Sequence, residues 1–330
     1  DPATTLFHDF EGDLRPGDQG FDLGTDERPS CQATIVRTGV TYGNLQSAVD
    51  HSLPGDVIQV TAGECRGVHP LLIDDQVVSQ TVHITHELTI EGGYPGPDLG
   101  TPTILNPQGL GRAVLITDSA VVTLSNLWLQ QGDATGLDGK GGGLYYQGSG
   151  GLLRYVILST NTASYGGGLY DAGSGLILWR SLVQSNTASM LGGGIYNESD
   201  NLYLREISLT LNVALSGGGI YNQSGEMRLE ANWVQHNYAS DPTAGRGGGL
   251  YNADSSSRLD AGNRFFGNRA QQAGGAIYHA GGDLKVWNSL IYDNVSQGDG
   301  GGGIWVQAGS PSLAHLTFYA NRVDSLTGGG

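Results

Sequence analysis

From about residue 141 the apolar positions of this chain fall in short runs whose order repeats. A block of glycines, an aliphatic residue and an aromatic residue reads GGGLY from Gly141 and Gly166, GGGIY from Gly192 and Gly217, GGGLY from Gly247, GGAIY from Gly274 and GGGIW from Gly301. A second signal keeps step with it: an apolar residue, two variable ones, then Asn. It gives Leu158–Asn161, Val183–Asn186, Leu209–Asn212, Val234–Asn237, Phe265–Asn268, Ile291–Asn294 and Phe318–Asn321. Two signals in phase, about 25 to 30 residues apart, predict a solenoid whose repeats bury their apolar faces only against their neighbours. Three short strands per repeat fit a parallel β-helix with coils roughly 4.8 Å apart. About ten or eleven coils then make a rod on the order of 50 Å long.

The chain before the regular repeats reads differently. Residues 1–30 are polar, acidic and rich in turn formers, and residues 31–70 have the pattern of a cap. In the cap, Thr34-Ile-Val predicts a strand, and Asn44 to Leu53 predicts a short amphipathic helix with Leu45, Ala48, Val49 and Leu53 on one face. Pro54-Gly-Asp ends that helix, and Val57-Ile-Gln-Val60 opens the solenoid, which is expected to run from 57 to 330. A helix here covers the first coil's open backbone edge. From Val57 to about Ala134 the coils are irregular, and Gly92 to Pro102 predicts a projecting loop. The array becomes regular from about residue 120.

The repeated residues read first as structural. An inward Asn at each corner, Asn161, Asn186, Asn212, Asn237, Asn268, Asn294 and Asn321, satisfies turn amides that water cannot reach. Stacked on successive coils these residues form a ladder. Glycine blocks allow tight corners and close approach. They are not phosphate loops, because no Lys-Ser/Thr follows them. Strand neighbours face opposite ways, so the aliphatic column faces inward and the aromatic column outward. That outward column is Tyr145, Tyr170, Tyr196, Tyr221, Tyr251, Tyr278 and Trp305. Its rings either stack on each other and stiffen the sheet, or offer ligand-binding faces to sugars or to another protein. The next column, from Tyr146 and Asp171 to Asn197, Asn222, Asn252, His279 and Val306, reads as the polar end of the turn.

Charge and cysteine content narrow the partners. The net charge of −16 argues against nucleic acid and anionic membranes, both of which attract basic surfaces. Cys31 and Cys65, the two cysteines, are expected to form a disulfide at the start of the solenoid, which implies an oxidising compartment. No apolar run approaches a membrane span, and Asp1 heads no signal peptide, so any export signal or anchor is expected to lie elsewhere. Asn197-Glu-Ser, Asn222-Gln-Ser and Asn294-Val-Ser match the glycosylation pattern, but an Asn-rich chain produces such matches readily.

Candidate chemistry is sparse. Six residues before each ladder Asn stand Tyr155, Arg180, Glu206, Ala231, Gly262, Asn288 and His315, a mixed column without paired carboxylates. Asp74, Asp75, His83 and His86 offer a weaker catalytic grouping, which reads better as solvated loop charge. No catalytic residue is assigned, and no cofactor is expected apart from calcium. Asp9, Glu11 and Asp13, with Asp22 and Asp26 folded back beside them, would suit that oxygen-ligand ion. Salt bridges from this acidic turn to Arg15 and Arg28 explain the same residues equally well.

The paired GG[G/A][I/L] and apolar-x-x-Asn motifs resemble the repeats of polymorphic outer-membrane proteins and related bacterial surface proteins. Phe265-Phe-Gly-Asn268 and Phe318-Tyr-Ala-Asn321 complete the FxxN form. The likeness covers roughly residues 120–330. It implies an all-β, right-handed single-stranded parallel β-helix, a pectin-lyase-like solenoid, preceded here by a short capping helix. It also implies adhesion or surface architecture, usually without enzymatic activity, in a secreted or cell-surface protein. Asn44 to Val60 is similar to the entry cap of secreted β-helix proteins, and residues 88–116 to their first coils. Asp9-Phe-Glu-Gly-Asp-Leu-Arg-Pro16 is similar to a segment that normally closes such helices at the other end. Gly328-Gly-Gly330 repeats the opening of a coil. The expected partner is therefore self, head to tail, or an adjoining β-helix of the same polypeptide, with surface glycans as a further candidate. A carbohydrate-binding module and a polysaccharide lyase or hydrolase are the rival readings.

Overall fold

A computed structural model describes residues 31–73, 76–94, 102–298 and 300–324. The metal-binding expectation on Asp9, Glu11, Asp13, Asp22 and Asp26, the closing segment 1–30, and Asp74 and Asp75 lie outside the described residues. The described chain is a parallel β-solenoid with a single six-residue helix. Its strands stack into columns, two of which hold ten parallel strands each.

Each regular coil carries four strands, one more than the sequence reading expects. In the coil after Gly192 they are Ile195–Asn197, Leu202–Arg205, Ser208–Thr210 and Val213–Ala214. The fourth is only two residues long and follows the ladder Asn at once. Its second residue forms a buried column of small side chains, Ala163, Ala188, Ala214, Ala239, Ala270 and Ser296. A small residue fits there because the glycine block follows within a few positions and brings two backbones together. At Gly193 an added Cβ would sit 2.5 Å from the carbonyl oxygens of Val213 and Gly218, so no larger residue is accommodated. Gly192 just before it has φ +67°, which glycine adopts without strain.

Inward positions fill one continuous apolar core. The aliphatic column from Leu144 and Leu169 to Leu250 and Ile277 is completely buried, as are Leu178, Leu204, Leu209 and Val234 on the other faces. Registers repeat without slip: Leu169 pairs with Ile195, Ile195 with Ile220, and Ile220 with Leu250.

The first end of the stack is closed. Strands β1 (Ala33–Ile35) and β2 (Val40–Tyr42) fold antiparallel over the edge of β3 (Asp56–Thr61), the first parallel strand of its column. Helix α1 (Leu45–Asp50) starts where the Asn44 side chain accepts the Ser47 N–H, and it buries Leu45, Ala48 and Val49. Leu53, expected on the same face, is 56% exposed because the helix stops at Asp50 and the chain turns away. The Cys31–Cys65 disulfide ties the segment before β1 to the first coil. The Arg37 guanidinium grips Asp56 at 2.7 Å and, with the Leu53 N–H, holds that carboxyl at about 2.

Candidate functional site

The ladder Asn sits at the corner between the third and fourth strands. Each residue before it lies in the left-handed region, from Thr160 (φ 53°) and Ser185 to Leu211, His236 and Asp293. That reversal turns the Asn inward and leaves its own N–H directed at the next coil. The Asn212 carboxamide oxygen accepts both the Asn186 N–H and the Asn186 Nδ2–H, each at 3.0 Å. Asn212 Nδ2 donates to the Val183 carbonyl and to Asn237 Oδ1, both at 2.9 Å. The same pattern runs from Asn161 to Asn321, and every rung through Asn294 is fully buried. The side chains therefore bond mainly from coil to coil, and Asn294 Nδ2 also donates to the Tyr292 carbonyl of its own coil.

A second inward ladder lies on the first strand column. Strand alternation returns the residue after each aromatic to the core side, so Asp171, Asn197, Asn222, Asn252 and His279 are all fully buried. This corrects the expectation that they finish an exposed turn. Asn197 donates to Asn222 at 2.7 Å, Asn222 to Asn252 at 3.1 Å, and Asn252 Nδ2 to His279 Nδ1 at 3.0 Å. Asp171 interrupts the amide series. It accepts the Ser199 hydroxyl at 2.7 Å and the Gly173 N–H at 3.0 Å, and burial still pushes its carboxyl up to about 6. Burial lowers His279 below the ordinary imidazole range. Asn197, Asn222 and Asn294 of the three glycosylation patterns are all buried, which leaves their side chains no access to a glycan donor.

The aromatic column faces outward but is largely covered. Tyr145, Tyr170, Tyr196 and Tyr278 are buried and Tyr221 and Tyr251 half-buried, while Trp305 is 39% exposed. Tyr170, Tyr196, Tyr221, Tyr251 and Tyr278 stack in series with centroids 4.5 to 5.5 Å apart. Val78, Leu115, Tyr165 and Leu191 pack beside the first rings of the column. Burial pushes the Tyr196 hydroxyl up to about 12. A flat sugar would have to displace a neighbouring ring to stack on the inner members.

Tyr155, Arg180, Glu206, Ala231, Asn288 and His315 all have positive φ, between 42° and 55°, and so mark the other sharp corner of each coil. The sequence reading treats them only as a surface column. Their side chains project from that corner, and in the first four coils they border a groove described below. His83 hydrogen-bonds Thr117 and His86 hydrogen-bonds Ser52, each within its own neighbourhood and not with one another. Among the described residues no group of three or more His, Cys, Asp or Glu is placed to hold a metal, and no helix is long and apolar enough to cross a membrane.

At the last described coil the core register surfaces. Leu313, Phe318 and Val323 are 44%, 51% and 46% exposed, whereas their partners one coil earlier, Val286, Ile291 and Ser296, are fully buried. With Ile304, they form an apolar end face.

Residues 264–280 match the Chlamydia polymorphic membrane protein repeat. The match contains Phe265-Phe-Gly-Asn268 and Gly274-Gly-Ala-Ile277, one ladder corner and the glycine block that follows it. No curated protein and no solved structure matches the chain. The repeat and the solenoid together fit a surface protein.

Proposed function

We propose that this chain is a rigid, non-enzymatic module of an exported bacterial surface protein, with a structural or adhesive role, and that its last coil is seated on another β-coil. The exposure of Leu313, Phe318 and Val323, in a register buried everywhere earlier, is the observation that carries this reading. Unpaired strand edges and an uncovered core favour pairing with more β-structure of the same kind. The neighbour is either a further β-helix of the same polypeptide or residues 1–30 of another copy, joined head to tail. A contact of the second kind does not close on itself and builds a filament. The commitment of both polar ladders and the glycine blocks to coil stacking supports a scaffold role.

Negative-stain images of the 330-residue chain test the filament arm. End-to-end rods that become single when residues 1–30 are deleted support seating on another copy. Fibres unchanged by the deletion, or residues 1–30 folded along the flank of their own solenoid, overturn it. Incubation with acidic polysaccharides tests the non-enzymatic assignment: no new chain ends are expected, and their release contradicts it.

A further inference from the structure

The corner between the second and third strand columns carries an open groove of about 720 Å³ that runs along the solenoid axis. It spans the coils of Asn126, Tyr155, Arg180, Glu206 and Ala231, and so extends on the order of 19 Å at one strand spacing per coil. Val156, Ser181 and Ile207 form its buried floor.

Two aromatic rings, Tyr155 and Trp233, border it. At the far end Trp233 is 46% exposed. The Arg264 guanidinium of the following coil lies 4.8 Å from the Trp233 ring, and the Phe266 ring meets it in a T-shaped contact at 6.2 Å. In the preceding coil the residue in register with Trp233 is Ser208, whose small side chain leaves a notch beside the indole. Trp233 thus lines the groove with much of its indole exposed. One coil in from the near end, which Pro102 and Asn126 line, stands Tyr155, its hydroxyl 3.4 Å from Arg180. Between the two rings, Arg180 and Glu206 pair at 2.7 Å, and Arg205 supports Glu206 from the side. Both side chains of the pair remain partly exposed on the groove, next to Ser208.

Apolar platforms with donors and acceptors between them are what a chain of pyranose rings requires, since each ring has an apolar face and a hydroxylated rim. We infer that this groove binds a neutral oligosaccharide laid along the solenoid axis, with one terminal ring on Trp233 and its hydroxyls on the Arg180–Glu206 pair. Neutrality follows from the net charge of −16, which repels polyanions, and from the pairing of Glu206 with Arg180 and Arg205, which leaves no free arginine among the groove's lining. The site is separate from the buried tyrosine column and from the last coil.

The full chain, labelled, is applied to an array of neutral and acidic glycans, and hits are titrated by tryptophan fluorescence. Binding to neutral oligosaccharides is expected. Trp233→Ala should weaken it at least tenfold, and Ser208→Trp, which fills the notch, should abolish it. Trp305→Ala should leave it unchanged. Trp233 is exposed, so its variant should unfold at the wild-type temperature. Three results overturn the inference: no neutral glycan bound at millimolar concentration, binding confined to acidic glycans, or binding that survives both Trp233→Ala and Ser208→Trp. Loss with Trp305→Ala alone places the site on the aromatic column and overturns it as well.

Discussion

The first coil and the last described coil of this solenoid differ in what lies over the core. At the first, two antiparallel strands, a capped helix, a disulfide and the Arg37–Asp56 pair cover the core, and Ile35, Ile58 and Val60 are as buried as any residue of the central coils. At the last described coil nothing comparable lies over Leu313 and Phe318. In a repeat array each coil is stabilised mainly by its neighbours, so a terminal coil lacks half of that contribution. The first end replaces the missing neighbour with irregular structure. The last described coil keeps the repeat pattern of the coils before it.

The ladder tests this contrast most strongly. Asn212→Ala would strand the buried Asn186 N–H, one Asn186 Nδ2–H and the Val183 carbonyl together. At about 1–3 kcal/mol for each unsatisfied buried group, a loss of at least about 3 kcal/mol is expected in urea unfolding. Asn321→Ala, the same change at the open end, should cost only about 1 kcal/mol, because water can reach the freed groups. Equal losses at the two positions would remove the distinction between middle and end.

Cutting the disulfide sharpens the contrast from the other side. Cys31→Ser with Cys65→Ser should cost about 2–4 kcal/mol. The loss should appear as faster amide exchange in Ala33–Ile35 and Asp56–Thr61, with Ile277–Gly281 unchanged. Exchange that speeds up uniformly along the chain would show that the cap governs the whole array.

Asp171 provides a change of the opposite sign. Its carboxyl is pushed up to about 6, so the folded state holds the proton more tightly than the unfolded chain. Its contribution is complete below pH 4 and is lost as pH rises through 6, by up to about 3 kcal/mol. Asp171→Asn restores the amide found at Asn197, Asn222 and Asn252, and should stabilise the protein at pH 8 by about 1–3 kcal/mol. Below pH 4 the variant and wild type should unfold alike. A variant less stable than wild type at pH 8 would contradict this assignment.

The smallest effect belongs to the Arg37–Asp56 pair at the closed end. With its carboxyl held at about 2, Asp56 supports the cap above pH 4 and releases it as pH falls toward 2. Arg37→Gln should remove that acid sensitivity from the exchange of β1 and leave the last coil untouched.

Much of this architecture is legible in the sequence, because a solenoid writes each structural demand once per coil. The glycine block and the apolar-x-x-Asn signal mark two corners, and their phase fixes the stacking register. The fourth strand is less visible, since two residues such as Val213-Ala214 show no periodicity; the recurring Asn-x-Ala is its only signature. The second ladder is recoverable from strand parity, which puts Asn197 on the same side as Ile195. The polarity of Asp171 and His279 draws the eye outward instead. At the second corner nothing in Tyr155, Arg180 or Glu206 announces a positive φ. That position follows from the pairing of coils, and the groove beside it depends on Ser208 meeting Trp233 across two coils, a juxtaposition no linear motif carries.

The contrast between closed and open ends is tested most directly by native-state amide exchange on the dilute, monomeric chain, resolved strand by strand. Full protection is expected in β3 and in central strands such as Ile220–Asn222, with β1 close behind. Thr317–Tyr319 and Ser312–Ala314 should exchange fastest among the parallel strands, and should gain protection once the end face is seated on another β-coil. Last-coil amides as slow as those of the central coils in the isolated monomer would mean that this end is already covered, and would contradict the assignment of an open seating face.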